Sequence, residues 1–166
     1  MRVAYADPPY PGKAAKHYRR HPDYAGEVSY ADLIARLVYE FPDGWALSCN
    51  STNLRELLPM CPADVRVAAW VKPFATIKKG VDPRYSWEPV IFRGGGPKDC
   101  ASAFPDWIKA GNVQGIGFVG AKPETFCFWV FRLLRMQPGD TLIDLYPGTG
   151  AVGRAWEKWQ RQLWAA

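Results

Sequence analysis

Thr141-Leu142-Ile143-Asp144-Leu145-Tyr146-Pro147-Gly148-Thr149-Gly150-Ala151-Val152-Gly153 is the stretch on which the fold turns. Its first six residues follow a Pro138-Gly139-Asp140 turn and are mostly apolar or β-prone, so they read as a strand. Pro147 to Gly150 then makes a tight loop, and Ala151 to Arg161 has the spacing of a helix. Gly148, Gly150 and Gly153 let the backbone come close to a ligand, and the first turn of a helix offers free N–H groups. Taken alone, G-x-G-x-x-G after a strand equally describes a dinucleotide site or a strand-to-helix turn with no ligand.

Working outward, strand and helix patterns alternate along the chain. Arg2 to Ala6 is a short strand stopped by Pro8-Pro9, and Tyr30 to Glu40 is a helix with Ser29 as its N-cap and Leu33, Ile34, Leu37, Val38 and Phe41 at helical spacing. Trp45 to Cys49 reads as a buried strand, and Thr52 to Leu58 as a short helix ended by Pro59 and Pro62. Val65 to Val71 and Pro89 to Arg93 are β-prone and suited to pair with each other. The segment after Lys122-Pro123-Glu124 is a helix apolar on more than one side, suited to lie against a sheet. Residues 13–27, 76–87 and 94–120 read as surface loops, the last too long for an ordinary connection.

The N-terminal loop carries the chemistry. Asp7-Pro8-Pro9-Tyr10 follows a strand directly, which puts a carboxylate, a rigid backbone carbonyl at Pro8 and an aromatic ring within four residues. The amino group of a nucleobase needs such a set. Its lone pair is delocalised into the ring, so it is a poor nucleophile until acceptors hold its hydrogens and draw the nitrogen toward tetrahedral geometry. Asp7 and the Pro8 carbonyl are candidates for those acceptors, and Tyr10 for the face on which an extruded base stacks.

Together the two loops resemble a known family. Asp7-Pro8-Pro9-Tyr10 is similar to the catalytic motif of amino-methyltransferases acting on adenine N6 or cytosine N4, and Asp144-Leu145-Tyr146-Pro147-Gly148-Thr149-Gly150 is similar to their cofactor motif. The order, catalytic motif first, resembles the permuted class of DNA amino-methyltransferases, to which the mRNA adenosine methyltransferases with their Asp-Pro-Pro-Trp motif are related. Ala121-Lys122-Pro123 stands where that class has a lysine-proline motif, and Trp87-Glu88-Pro89-Val90 resembles its aromatic-Glu-x-Val segment.

The resemblance spans Asp7 to about Trp156. It implies an α/β, Rossmann-like S-adenosylmethionine-dependent methyltransferase fold, a mostly parallel sheet with one antiparallel strand and helices on both faces. By its length the chain reads as a single domain over 1–166, and it departs from restriction-type members in having no separate target-recognition domain. The resemblance also implies Asp7, Pro8, Pro9 and Tyr10 as the catalytic loop. Asp7, Ala121, Lys122, Pro123, Asp144, Tyr146, Pro147, Gly148, Thr149 and Gly150 would hold S-adenosylmethionine. Asp at the first motif position is the usual adenine form, where Ser is common for cytosine. RNA as the substrate and a non-catalytic scaffold on the same fold are the rival readings. The scaffold draws support from the absence of a carboxylate after Glu157, where the family has an acidic ribose ligand. Methylation of a protein amide fits less well, since Asn is the usual first residue there.

Composition agrees with the nucleic-acid partner that the resemblance implies, DNA ahead of RNA. A net charge of +5 and a pI near 9.1 favour polyanions. Lys13, Lys16, Arg19 and Arg20, interleaved with Tyr18 and Tyr24, and Lys78, Lys79 and Arg84 are the candidate phosphate contacts. Among the eight tryptophans, Trp45, Trp70 and Trp129 are expected in the core, and Trp87 and Trp107, near loops, are candidates for base or cofactor contact. Ser48, Asn50 and Ser51 fall at a strand's C-terminal end, where such sheets bind ligands. His17 and His21 are four apart, but Pro22 and the lack of a third ligand argue against a metal, and none is expected. Cys49, Cys61, Cys100 and Cys127 form no C-x-x-C pair and are expected as reduced, mostly packed thiols. With no signal-peptide pattern and no long apolar run, a cytoplasmic protein is expected, with no membrane partner, as a homodimer or beside a helper subunit.

Overall fold

The computed structural model describes residues 1–10, 26–74, 79–96, 103–111 and 121–164, the side chains of 163 and 164 excepted. Among these residues six strands form one sheet: β1 (Arg2–Ala6), β2 (Gly44–Ser48), β3 (Arg66–Val71), β4 (Trp87–Gly94), β5 (Trp107–Lys109) and β6 (Thr141–Asp144), in the order β5-β3-β4-β2-β1-β6. β1 pairs in parallel with β2 and β6, and β3 with β5, while β4 runs antiparallel to both β2 and β3. The sheet is therefore mostly parallel with a single reversed strand. The expected pairing of the two β-prone runs is the β3–β4 ladder.

Strand alternation sorts side chains to two cores. Val3 and Tyr5 of β1, Ala46 of β2 and Trp70 of β3 face α3 (Glu124–Leu133) and α4 (Ala151–Trp164). Ala4 and Ala6, Trp45 and Leu47, and Ile91 of β4 face α1 (Tyr30–Glu40) and the α2 turn (Leu54–Leu57). Helices thus lie on both faces, as the resemblance implies, and Trp45, Trp70 and Trp129 are core residues as expected. α1 starts where its sequence says: Ser29 Oγ accepts from the Asp32 N–H, satisfying one of the four donors a helix N-terminus leaves free. α3 is buried on most of its circumference, through Phe126, Cys127, Trp129, Val130, Phe131 and Leu133. Among the described cysteines, Cys49 and Cys127 are buried, Cys61 is half-buried and all three are free thiols.

Three boundaries differ from the sequence reading. Pro59 does not end the short helix; it sits inside a 3₁₀ turn (Leu58–Met60) that continues α2, because the first positions of such a turn need no N–H. β6 stops at Asp144, since the Tyr146 N–H turns back to the Asp144 carboxylate. β5 falls within the stretch read as irregular. It is only three residues long, and its pairing with β3 rather than any local pattern makes it a strand.

One turn is fixed by backbone crowding. Gly94, paired opposite Gly44 at the end of β4, has φ +77°, and a Cβ there would sit 2.5 Å from the Asp43 carbonyl oxygen. Gly94→Ala is expected to cost at least about 2 kcal/mol, from the left-handed backbone and the clash together. Urea unfolding measures it, and an unchanged midpoint would contradict the geometry.

Candidate functional site

β1 and β6 end flush. Tyr5 is paired with Asp144, and the Leu145 N–H bonds the Tyr5 carbonyl at 2.9 Å. The two loops of interest, 7–10 and 145–150, therefore leave the sheet side by side. From there the chain after β1 reaches α1 on one face, and the chain after β6 enters α4 on the other. Neighbouring parallel strands whose connections diverge in this way open a crevice at their C-terminal ends, the usual ligand position in such sheets.

Asp7 sits at this crevice on the α3 face. Its Oδ2 accepts from Lys122 Nζ at 2.8 Å; the Lys122 side chain is buried and that of Asp7 is 22% exposed. Burial pushes the Asp7 carboxyl above its ordinary value, and the Lys122 ammonium only partly offsets this. Pro8 is buried, and no described donor takes its carbonyl. The Pro9 carbonyl is held from the opposite face by the Tyr30 hydroxyl at 3.3 Å.

Tyr10 is fixed by its hydroxyl, which donates to Glu88 Oε2 at 3.0 Å. The other oxygen of Glu88 is ion-paired with Lys72, whose ammonium also lies over the Trp70 ring, 4.5 Å from its centroid. Burial, with the nearby charges of Asp7 and Glu88, holds the Tyr10 hydroxyl well above its ordinary value, so it stays protonated. Glu88 and Lys72 reach one spot because β3 and β4 pair Trp70 with Glu88, and Lys72 follows two residues after Trp70. The motifs include Glu88 without assigning it a role, and they do not include Lys72 or Tyr30. An alternating Trp70-x-Lys72 before Pro73 was the available signal for one of them.

On the other loop, Asp144 Oδ1 accepts from the Tyr146 N–H at 3.2 Å, while its Oδ2 is buried with no partner among the described residues. Burial raises this carboxyl to about 6, the Tyr146 N–H lowering it and the Asp7 charge raising it. Gly148 has φ +48° and Gly150 φ +71°, conformations that favour glycine. A Cβ on Gly148 would meet only the Tyr146 carbonyl, at an ordinary contact distance of 3.9 Å, so the loop is not crowded there. Gly150 N–H bonds the Pro147 carbonyl at 2.7 Å, and Arg154 donates to the Thr149 carbonyl at 2.8 Å, which ties the loop to the first turn of α4. Ala121 and Pro123 flank Lys122 at the start of α3.

The chain folds like M1.HpyAVI. Over 95% of its length it matches the crystal structure of the M1.HpyAVI–SAM complex, covering 78% of that chain, with a TM-score of 0.64 and 15% identity. A second crystal structure of M1.HpyAVI matches over 96% of this chain and 76% of that one, with a TM-score of 0.63 and 12% identity. At such identities the likeness is one of fold, and it agrees with the Rossmann-like methyltransferase architecture implied by the motifs. No protein-family model matches the chain, and no curated protein matches it in sequence.

The remaining candidates divide. Lys79 and Arg84 are exposed, in the segment that leads into β4. Lys13, Lys16, Arg19, Arg20 and Lys78, with His17 and His21, lie outside the described residues. Ser48 is not a ligand group: it is buried, and its hydroxyl is spent on the Tyr5 hydroxyl at 2.8 Å. Asn50 likewise serves the fold, its Oδ1 capping the turn at Ser51–Asn53 through the Thr52 N–H at 3.0 Å, with Ser51 Oγ donating to the same oxygen. Trp87 and Trp107 lie in strands with exposed rings. No described helix is long and apolar enough to cross a membrane.

Proposed function

We propose that this chain is an S-adenosylmethionine-dependent methyltransferase acting on the exocyclic amino nitrogen of a base in DNA, adenine N6 foremost, and that 1–166 works as one domain. The observation that carries the reading is the side-by-side emergence of the Asp7–Tyr10 and Asp144–Gly150 loops from β1 and β6, with Lys122 from the start of α3 ion-paired to Asp7.

The residues present fit the cofactor. A buried carboxylate oxygen at Asp144 with no partner among the described residues, close to a left-handed Gly148 that nothing crowds, is what a polar, cationic ligand would use. Asp144, Tyr146, Pro147, Gly148, Thr149 and Gly150 would hold it from one side, and Ala121, Lys122, Pro123 and Asp7 from the other. M1.HpyAVI, of the same fold, was crystallised with SAM. When bound, S-adenosylmethionine supplies an electrophilic sulfonium methyl.

The protein's own groups prepare the nucleophile. Asp7 and the Pro8 carbonyl accept the two amino hydrogens and draw the nitrogen out of conjugation. The Tyr10 ring, held through its hydroxyl by Glu88, gives the base a stacking face that offsets the loss of its neighbours. As the nitrogen gains the methyl, its proton becomes acidic and passes to the Asp7 carboxylate, which burial makes a better proton acceptor than an ordinary aspartate. No metal is proposed for this reaction.

Asp144 makes cofactor binding pH-dependent. Its folded value of about 6 lies above the ordinary 3.8, so it contributes stability to the ligand-free fold at low pH that is lost as pH rises through about 6. Ligand binding has the opposite sign, because a cation is held by the ionised form. S-adenosylmethionine affinity by calorimetry is expected to fall several-fold from pH 7.5 to pH 5 in the wild type, and to be weak and flat in Asp144→Asn; equal pH dependence in both would remove Asp144 from the site.

The reading as a whole is tested by incubation with methyl-labelled S-adenosylmethionine and four polymers, single- and double-stranded DNA and RNA. Label in DNA supports it, label in RNA alone moves the substrate, and no label with no measurable cofactor binding favours a scaffold.

A further inference from the structure

The α1 face of the sheet is not covered evenly. Toward β5 the register places Trp107, Ala69 and Pro89 in one row, and Lys109, Val71 and Trp87 in the next, all six side chains on the face opposite Trp70 and Glu88. Pro89 is buried, but Val67, Ala69 and Val71 stay outside both cores among the described residues. Trp107 is 53% exposed, and Trp87 and Val67 are each 36% exposed. Adjacent strands stand about 4.8 Å apart, so the two indoles lie within about 12 Å of each other across a floor of small side chains. Lone exposed apolar residues need no explanation, whereas two exposed indoles flanking a half-buried strip of sheet do.

The charges around this strip select its occupant. Lys109 lies on it, and Lys79 and Arg84 are exposed in the segment leading into β4. None of the three has a carboxylate partner among the described residues, while Arg93 on the same face is already paired with Asp64, and Arg66 with Asp106. Aromatic faces accept bases of any sequence, and lysines track the phosphates between them; an open sheet face carrying exposed rings is how several single-strand binders are built. A duplex keeps its base faces stacked and could not use the indoles. Trp87 is also the neighbour of Glu88, which anchors Tyr10, so the strip adjoins the proposed base pocket across the thickness of one strand.

We propose that Trp107, Trp87 and Lys109 form a stacking platform for the single-stranded nucleotides that flank the target base, which makes an unpaired strand the preferred form of the substrate. The proposal rests on the reading given above only for what the strand is held for; the platform can be tested without the reaction. A strand leaving the Tyr10 pocket passes over the C-terminal edge of β3 onto the platform, where stacking on the two rings holds it in register.

The probe is a fluorescein-labelled oligodeoxythymidylate, which offers no adenine to the pocket, titrated with the full chain by anisotropy. Trp107→Ala and Trp107→Leu are each expected to weaken binding about tenfold, the loss of one base–ring stack, and Trp107→Phe to stay near wild type, because stacking needs a ring. Lys109→Ala is expected to lower the log–log salt slope by about 0.7, one single-strand phosphate. Wild-type affinity in Trp107→Leu, or no binding by the wild type, would overturn the platform. So would a dimer in sedimentation that Trp107→Ala dissociates while oligonucleotide binding is unchanged, since a second copy would then own the strip. If the oligonucleotide binds as described but no adenine polymer takes a methyl group, the platform stands and the proposed reaction fails.

Discussion

Asp7→Asn should abolish methyl transfer, with a loss of at least about 10³-fold in kcat. The substitution keeps the shape of the side chain and one oxygen acceptor, but its amide cannot take up the proton that leaves the methylated nitrogen. It also removes the negative charge 2.8 Å from the Lys122 ammonium, so a modest fall in melting temperature is expected beside the kinetic loss. The two effects separate in one set of measurements. Single-turnover rates at saturating cofactor report the chemical step, and thermal unfolding reports the fold. A variant within tenfold of wild type would mean that Asp7 is a structural partner of Lys122 and no more.

Lys122→Met is the second large effect, and it has a signature in pH. The Lys122 side chain is 5% exposed, and its ammonium lies 5.4 Å from the Trp70 ring centroid and 5.8 Å from that of Phe126, in apolar surroundings that only a charge partner justifies. It is the group that holds the Asp7 carboxyl down against burial. Without it the Asp7 value rises, the carboxylate is protonated over a wider range, and a protonated Asp7 can neither take the amino proton nor act as a full acceptor. The rate at pH 7 is expected to fall on the order of 10²-fold, with the acid limb of the rate profile moved to higher pH. Lys122→Arg, which keeps the charge, should recover much of the rate. A Lys122→Met profile that is merely scaled down, with its limb unmoved, would show that the lysine acts on the cofactor alone.

How far the sequence could carry this account depended on how local each feature is. β1 was legible because Pro8-Pro9 stops it, β6 because proline and glycine punctuate both of its ends, and α1 because Ser29, Asp32 and the apolar spacing agree. The catalytic and glycine loops were legible as motifs, since four and seven consecutive residues carry each. Their adjacency was not, because it depends on β1 and β6 being neighbours, a matter of strand order. The Tyr10–Glu88–Lys72 chain is less local still: it joins a loop, the start of one strand and the end of another, and appears only once β3 and β4 are in register. β5 escaped notice for the same reason, three residues with no period of their own. Ser48 misled because a polar residue at a strand's C-terminal end has two uses, and the hydroxyl of Tyr5 from the adjacent strand had already claimed it.

The most direct measurement is digestion and nucleoside mass spectrometry of a single-stranded oligodeoxynucleotide containing one adenine and several cytosines, after incubation with the protein and methyl-labelled S-adenosylmethionine. The account predicts label in N6-methyldeoxyadenosine, in amounts that track the one adenine and vanish when it is replaced by thymine. Label on cytosine would keep the chemistry of Asp7 and Pro8 and overturn the choice of base. No labelled nucleoside at protein in excess over oligonucleotide, with wild-type fold intact, would contradict the central claim that the two loops form one methyl-transfer site.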